Sequence, residues 1–305
     1  MSEILAITCP SGKQCAHLLP RLSEQGRFQL RLAAHTTRSA TKLREKYPRA
    51  EVMAIDLSKF DDCRRLVHGA AAINAILPSL HSREKEIGFN LIDAAVAEAK
   101  RPGNVFKHFV LSSVLCTQHR ALLQHDLKSY VEERLFLSPL DYTILKPTNF
   151  MDVYPVKQLA QDNDPVLETR WDPAHPNSLI ALADLSDATV KVLNERERHY
   201  YAEYGLCSTM PISEDGVAEV ISRAVGKTVR TKYPGLEASA RALQTFLFAG
   251  SASSGDDRPD LVLDTIERLI MYYNRRGLRG NPNVLRLLLG REPTTIDEWV
   301  QKQLG

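Results

Sequence analysis

Short apolar runs alternate with longer amphipathic ones through the first half of this 305-residue chain, and that rhythm constrains its fold more than any single residue does. "EILAIT" (3–8), "FQLRLAAH" (28–35), "AEVMAID" (50–56), "AAINAILP" (71–78), "FKHFVLSSV" (106–114) and "DYTILKPT" (141–148) read as strands. Between them, "KQCAHLLPRLSEQ" (13–25), "SATKLREKYP" (39–48), "FDDCRRLVHGA" (60–70), "REKEIGFNLIDAAVAEA" (83–99) and "HDLKSYVEERLFLS" (125–138) read as helices. Pro20 is expected to bend or end the first helix, and Gly69 to close the third. Strict alternation of this kind predicts an α/β, Rossmann-type doubly wound parallel sheet. Right-handed crossovers bring the C-terminal ends of the strands to one edge, and ligands bind there, near the point where strand order reverses. The candidate edge is therefore 9–15, 35–38, 56–57, 77–82, 112–116 and 147–151.

After residue 150 the rhythm loosens. A short strand and helix are expected over 178–195, and helices over 213–227, 261–277 (closed by Gly277) and 294–304; 249–260 reads as a solvated loop. The division is 1–150 as a nucleotide-binding domain and 151–305 as a smaller α/β substrate-binding lid, with the segment near 178–195 able to pack back on the first.

At 44% hydrophobic residues the chain can bury a full core, and a net charge of +2 gives no reason to expect nucleic acid or a membrane as partner. No apolar run approaches the roughly 20 residues that span a bilayer, and "MSEILAIT" runs straight into a strand rather than forming a signal peptide. Cys9, Cys15, Cys63, Cys116 and Cys207 are scattered without metal-ligand spacing, so reduced thiols in a cytoplasmic, metal-free protein are expected, as monomer or homodimer.

The first turn, "TCPSGKQC" (8–15), carries the main chemical question. Glycines in such a turn permit the bend, let backbone approach a pyrophosphate and let the helix pack on the strand. Only Gly12, at the close-approach position, is present; Cys9 and Cys15 stand at the flanking ones. Cys9 is strained if it needs a positive φ, and Pro10 offers no N–H. The helix beginning near Lys13 still presents amides and a partial positive charge to an anion. Oxidation of Cys9 and Cys15 could gate this turn, and Cys116 could act as a nucleophile, but idle thiols explain all three more simply. Arg38, after the second strand, can fork onto a phosphate, and no carboxylate ends that strand to hold a bare ribose.

Together "ITCPSGKQCAHLL", "AAHTTRSATKL", "AIDLSKFD", "FKHFVLSSV", "HDLKSYVEERLFLSPLDYTILKPTNFMD" and "NRRGLRGNPNVLRLLLGREPTTIDEWV" resemble the NmrA-like family of atypical short-chain dehydrogenases over nearly the whole chain. The resemblance implies a Rossmann domain preferring NADP(H), here weakened or lost, and a small-molecule substrate. The family's members include reductases, redox-sensing regulators and tailoring proteins of fungal secondary metabolism. Carried onto this sequence, the turn that holds the cofactor is Cys9, Ser11, Gly12, Lys13 and Gln14. Thr37 and Arg38 match the pair at the ribose 2′-phosphate, and Asp56 and Leu57 the adenine edge. Pro78 and Ser112, then Pro147, Asn149 and Phe150, match the segments around the nicotinamide. Lys128 matches the lysine that contacts the nicotinamide ribose and relays protons. The tyrosine expected four residues earlier is Gln124, which cannot act as a general acid. His125, Ser113 and Tyr154 are the remaining catalytic candidates beside Lys128. The expected activity is reduction of a small aromatic or polycyclic secondary metabolite. The alternatives are a redox-neutral tailoring reaction in the same cleft, as isomerase or cyclase, and a non-catalytic NADP-sensing regulator.

Overall fold

The computed structural model describes residues 2–248 and 259–305. Of the segment read as a solvated loop, 249–258 lies outside the described residues. Chain order runs β1 (Glu3–Ile7), α1 (Lys13–Gln25), β2 (Phe28–Ala34), α2 (Thr37–Lys46), β3 (Glu51–Ala54), α3 (Phe60–Val67), β4 (Ala70–Ile76), α4 (Glu84–Ala99), β5 (His108–Ser112), α5 (Leu123–Phe136) and β6 (Tyr142–Pro147). It continues through β7 (Asn149–Phe150), α6 (Val156–Gln161), β8 (Val166–Glu168), β9 (Leu179–Ile180), α7 (Leu182–Glu195), β10 (Ala202–Leu206), α8 (Glu214–Val225) and β11 (Arg230–Lys232). It closes with α9 (Leu236–Phe248), α10 (Pro259–Tyr273), α11 (Asn283–Leu289) and α12 (Ile296–Leu304).

Seven strands form one sheet in the order β10-β6-β5-β4-β1-β2-β3. Parallel registers such as Leu5↔Leu30, Ala6↔Ile73, Ala75↔Leu111 and Leu111↔Ile144 run through it. This is the expected Rossmann-like sheet flanked by helices. Strand order reverses between β1 and β4, which makes the ends of those two strands the switch point. Thr8 clamps them there: its hydroxyl donates to the Ile76 carbonyl at 2.7 Å and accepts the Ile76 N–H at 2.7 Å. β4 is buried at every position, as a central parallel strand must be.

α1 runs over the residues read as a helix, with Pro20 inside it; buried Leu18, Leu19 and Leu22 hold the helix despite the hydrogen bond that proline cannot make. Two local readings are corrected. α2 starts two residues earlier than its pattern suggested, because Thr36 accepts the Ser39 N–H at 3.1 Å and the Ser39 hydroxyl answers in a capping box. The seventh strand, β10, was not foreseen: "AEYGL" is a partly exposed edge strand without an apolar run.

The chain divides into two compact units. One comprises Met1–Arg120, His125–Pro147 and Leu185–Tyr204; the other Ala121–Gln124, Thr148–Asp184 and Gly205–Gly305. The first has a core built around Ile73, Leu91, Phe109, Leu111 and Ile144. The core of the second gathers Met151, Leu167, Val217, Ile221, Trp299 and Val300. In that unit Gly277 has φ +64, and a Cβ there would meet the Pro176 carbonyl oxygen at 2.3 Å, so the turn after α10 accepts no other residue without moving. No described helix is long and apolar enough to cross a membrane.

Candidate nucleotide site at the carboxyl edge of the sheet

The turn after β1 takes the shape its sequence threatened. Cys9 adopts φ +49, the left-handed region that a residue with a Cβ occupies at a cost. Its carbonyl accepts the Gly12 N–H at 2.9 Å, and a Cβ on Gly12 would come within 3.1 Å of the same oxygen. Gly12 is the N-cap of α1; no side chain caps it and no acidic residue lies in the first helical turn. The front of α1 therefore keeps its positive end available to an anion, with Ser11, Gly12 and Lys13 exposed around it. Gln14 turns inward, and its Oε1 accepts the Ser112 hydroxyl from the end of β5 at 2.9 Å. Cys15 is fully buried under the turn.

Burial pushes the Cys9 thiol up to about 12, with Lys128 opposing and Glu84 reinforcing that shift, and burial also raises Cys15. A thiol raised in this way offers little thiolate to a redox gate. Burial raises Cys116 too, against its use as a nucleophile.

Beyond β2, Thr37 and Arg38 occupy the first turn of α2. Arg38 is exposed, and no hydrogen bond or ion pair engages it among the described residues. An exposed guanidinium beside the amides of a helix front is a fitting receptor for a phosphate. After β3, the Asp56 carboxylate accepts the Ser58 hydroxyl at 2.6 Å and the Ser58 N–H at 3.0 Å, and the hydroxyl bond chiefly holds its pKa below the usual range. Leu57 is half-buried beside it. Pro78, half-buried, leads into Leu80, which has φ +64.

At the expected chemical end, α4 and α5 pack closely. Gly88 on α4 lets α5 come close: a Cβ at 88 would lie 2.5 Å from Val131 Cγ2. One turn before Gly88 stands Glu84, and three residues before Val131 stands Lys128. The two form an ion pair with Glu84 fully buried and Lys128 nearly so. The other Glu84 oxygen accepts the Leu80 N–H at 3.2 Å. One turn further along α5, Glu132 accepts the Ser113 hydroxyl at 2.5 Å and the Thr117 hydroxyl at 2.9 Å, and pairs with Lys146 of β6 at 3.0 Å. Lys146 also reaches Glu203. Ser113 is thus committed to a buried carboxylate rather than free for a substrate.

His125 is buried and its Nδ1 contacts the Cys116 carbonyl at 2.8 Å; burial takes it down to about 4, so it is neutral near pH 7 and carries no ready acidic proton. Glu84, Glu132 and Lys146 were missed in sequence. The available signal was Lys146, a charge inside the apolar strand "YTILKP", and Glu132, spaced one turn from Lys128.

The remaining candidates lie in or lead to the second unit. Pro147 is buried, and its carbonyl accepts the Leu115 N–H at 2.9 Å. Asn149 and Phe150 form β7 against Leu179 and Ile180 of β9. Met151 is wholly buried in that unit's core. Tyr154 packs edge-on to Trp299 at 6.4 Å and interacts with Glu214. Burial first, then Glu214, raises the Tyr154 hydroxyl well above its ordinary value, which makes it a poor proton donor. Gln124 Oε1 and Asn149 Nδ2 are buried polar atoms without a partner among the described residues.

Residues 1–248 match the sequence pattern of the NmrA-like family. The chain belongs to that family. No curated protein matches it. Among solved structures, this NmrA-like chain is similar to an NADPH-dependent quinone oxidoreductase from Escherichia coli complexed with NADPH (19% identity, 99% of this chain and 100% of that one, TM-score 0.75). It is also similar to the Citrobacter sp. triphenylmethane reductase complexed with NADP(H) (15%, 99% and 100%, TM-score 0.73). NmrA itself, a negative transcriptional regulator in complex with NAD, is comparable (16%, 99% and 95%, TM-score 0.73). At these identities the likeness is one of fold.

Proposed function

We propose that this NmrA-like chain binds NADP(H) along the carboxyl edge of its sheet and reduces a flat, conjugated small molecule. The observation that carries the reading is Arg38, exposed and unengaged at the front of α2, with no carboxylate at the end of β2 to compete with a 2′-phosphate. The uncapped front of α1 would receive the pyrophosphate, Thr37 and Arg38 the phosphorylated ribose, and Asp56 and Leu57 the adenine edge.

The group supplies hydride when bound. Among the described candidates none stands ready as an acid: Gln124 cannot donate a proton, the Ser113 hydroxyl is held by Glu132, Lys128 is held by Glu84, and His125 is neutral. That inventory favours acceptors that need none. A quinone, a triarylmethane cation or a polycyclic conjugated metabolite delocalises the electron pair that arrives with hydride, and any proton then comes from water. A simple ketone becomes a localised alkoxide and requires the missing donor. Whether the natural acceptor belongs to secondary metabolism follows from the family resemblance alone.

Loss of NADPH absorbance against a panel of acceptors tests this. Quinone or triarylmethane acceptors should be reduced and simple ketones spared. Product formed without consumption of NADPH would replace the reading with a redox-neutral one. The engagement of Lys128 and Ser113 by buried carboxylates also favours a second reading, a sensor that binds nucleotide without turnover. Tight nucleotide binding with no acceptor reduced would select it.

A further inference from the structure

The ion pair of Glu84 and Lys128 is tied to the segment that follows β4, one of the two strands at the switch point of the sheet. Strand order reverses between β1 and β4. Glu84 hangs from the β4 side, holding the Leu80 N–H at 3.2 Å. Lys128 lowers and Glu84 raises the Cys9 thiol in the β1 turn, beside the larger effect of burial. Side-chain exposure is 0% for Glu84 and 8% for Lys128, so both charges are withdrawn from solvent and each meets the other. The Arg38 end is open by contrast.

In doubly wound folds the adenosine half lies toward β2 and the first helix receives the pyrophosphate. The other half must therefore continue to the β4 side, toward the Glu84–Lys128 pair. We propose that this pair is an internal competitor for the nucleotide: the nicotinamide half seats only after Glu84 has given up Lys128. The inference rests on the nucleotide-binding reading above and deepens it. Glu84 is then a positioning residue that sets how tightly the second half of the dinucleotide is held. A protein whose competent form is a minor fraction binds with an affinity reduced by that fraction.

The test is calorimetric titration of the full chain and its Glu84→Gln and Glu84→Asp variants with two probes. NADPH spans the crevice; adenosine 2′,5′-bisphosphate carries only the half that reaches Arg38. The amide of Glu84→Gln keeps an acceptor for Leu80 N–H and releases the lysine. Glu84→Asp shortens the reach by one methylene. In the parent chain the two probes should bind with similar affinity, to within about threefold, and Glu84→Gln should tighten NADPH by about tenfold or more while leaving the bisphosphate within about twofold. Glu84→Asp should fall between, and it decides the matter by the same comparison if thermal melting shows Glu84→Gln unfolded. NADPH affinity unchanged or weaker in the folded variant, with the bisphosphate still bound, overturns the competitor alone. Neither probe binding to any of the three chains overturns the nucleotide reading, and the competitor with it.

Discussion

The Ser113 hydroxyl donates to Glu132 at 2.5 Å, and Glu132 stands one helical turn beyond Lys128 on α5. That spacing puts Lys128 and Glu132 on one face of the helix. Each is matched by an opposite charge from another element, Glu84 on α4 and Lys146 on β6. Breaking a buried pair by removing one member strands the other charge, so the two pairs brace α4, α5 and β6 around the sheet edge. The polar groups that could serve proton transfer there are thereby spent on structure, which is why the account turns to acceptors that need no acid.

Arg38→Ala should weaken NADPH about 10- to 100-fold, the loss of one or two charge-assisted hydrogen bonds, and leave NADH nearly unchanged. Parallel titrations with both nucleotides check this. Equal loss for the two would remove Arg38 from the 2′-phosphate.

Cys9→Gly should raise thermal stability by about 1 kcal/mol, since φ +49 costs a glycine nothing. Cys15→Gly should do the opposite, by about 1–2 kcal/mol, because residue 15 is fully buried inside α1. The two cysteines look alike in sequence as replacements for glycine, but only Cys9 sits where a glycine is missed. Denaturant melts of the two variants separate them.

Gly88→Ala should destabilise by about 1–3 kcal/mol, because the new methyl group would press on both Val131 methyls and force α4 from α5. The same substitution should disturb the Glu84–Lys128 contact, one turn away on each helix. Chemical denaturation reads the loss, and an unchanged midpoint would mean that the helices separate at no cost.

Stability should fall as pH drops from about 6.5 toward 4. His108 is buried, and burial chiefly takes it down to about 3; His125 goes down to about 4 for the same first cause. The Thr143 hydroxyl donates to the His199 carbonyl at 2.6 Å, so it accepts from His108 Nε2, and His108 Nδ1 is buried without a partner among the described residues. Both folded values lie below the unfolded value of about 6.5, so the unfolded chain takes up protons that the fold refuses. The contribution is complete above that value and is lost toward the folded ones, at about 1.4 kcal/mol per pH unit for each histidine. Melts across this window check the slope, and His125→Gln should flatten it by about one proton's worth.

The sheet was legible because its central strands are buried on both faces and therefore read as unbroken apolar runs, β4 above all. β10 was not, because five residues at a sheet edge, "AEYGL", mostly part-exposed, show no apolar run. At the site, the open receptors could be read locally: Gly12 and Lys13 at a helix front, Arg38 beside a capping threonine. Their occupied neighbours could not. Glu84 and Lys128 meet across 44 residues because Gly88 lets two helices touch, and Glu132 of α5 meets Lys146 of β6 from separate elements. Such contacts are properties of packing, and no spacing within either helix announces them. Ser113 and His125 are catalytic candidates by position along the chain, and what the sequence does not show is the partner of each: Glu132 for Ser113 and the Cys116 carbonyl for His125.

The most direct measurement is an equilibrium titration of the purified full chain with NADPH and NADH side by side. The account predicts saturable binding of NADPH that is clearly tighter than NADH, with the preference abolished in Arg38→Ala. No binding of either nucleotide, or equal affinity for both, would contradict it.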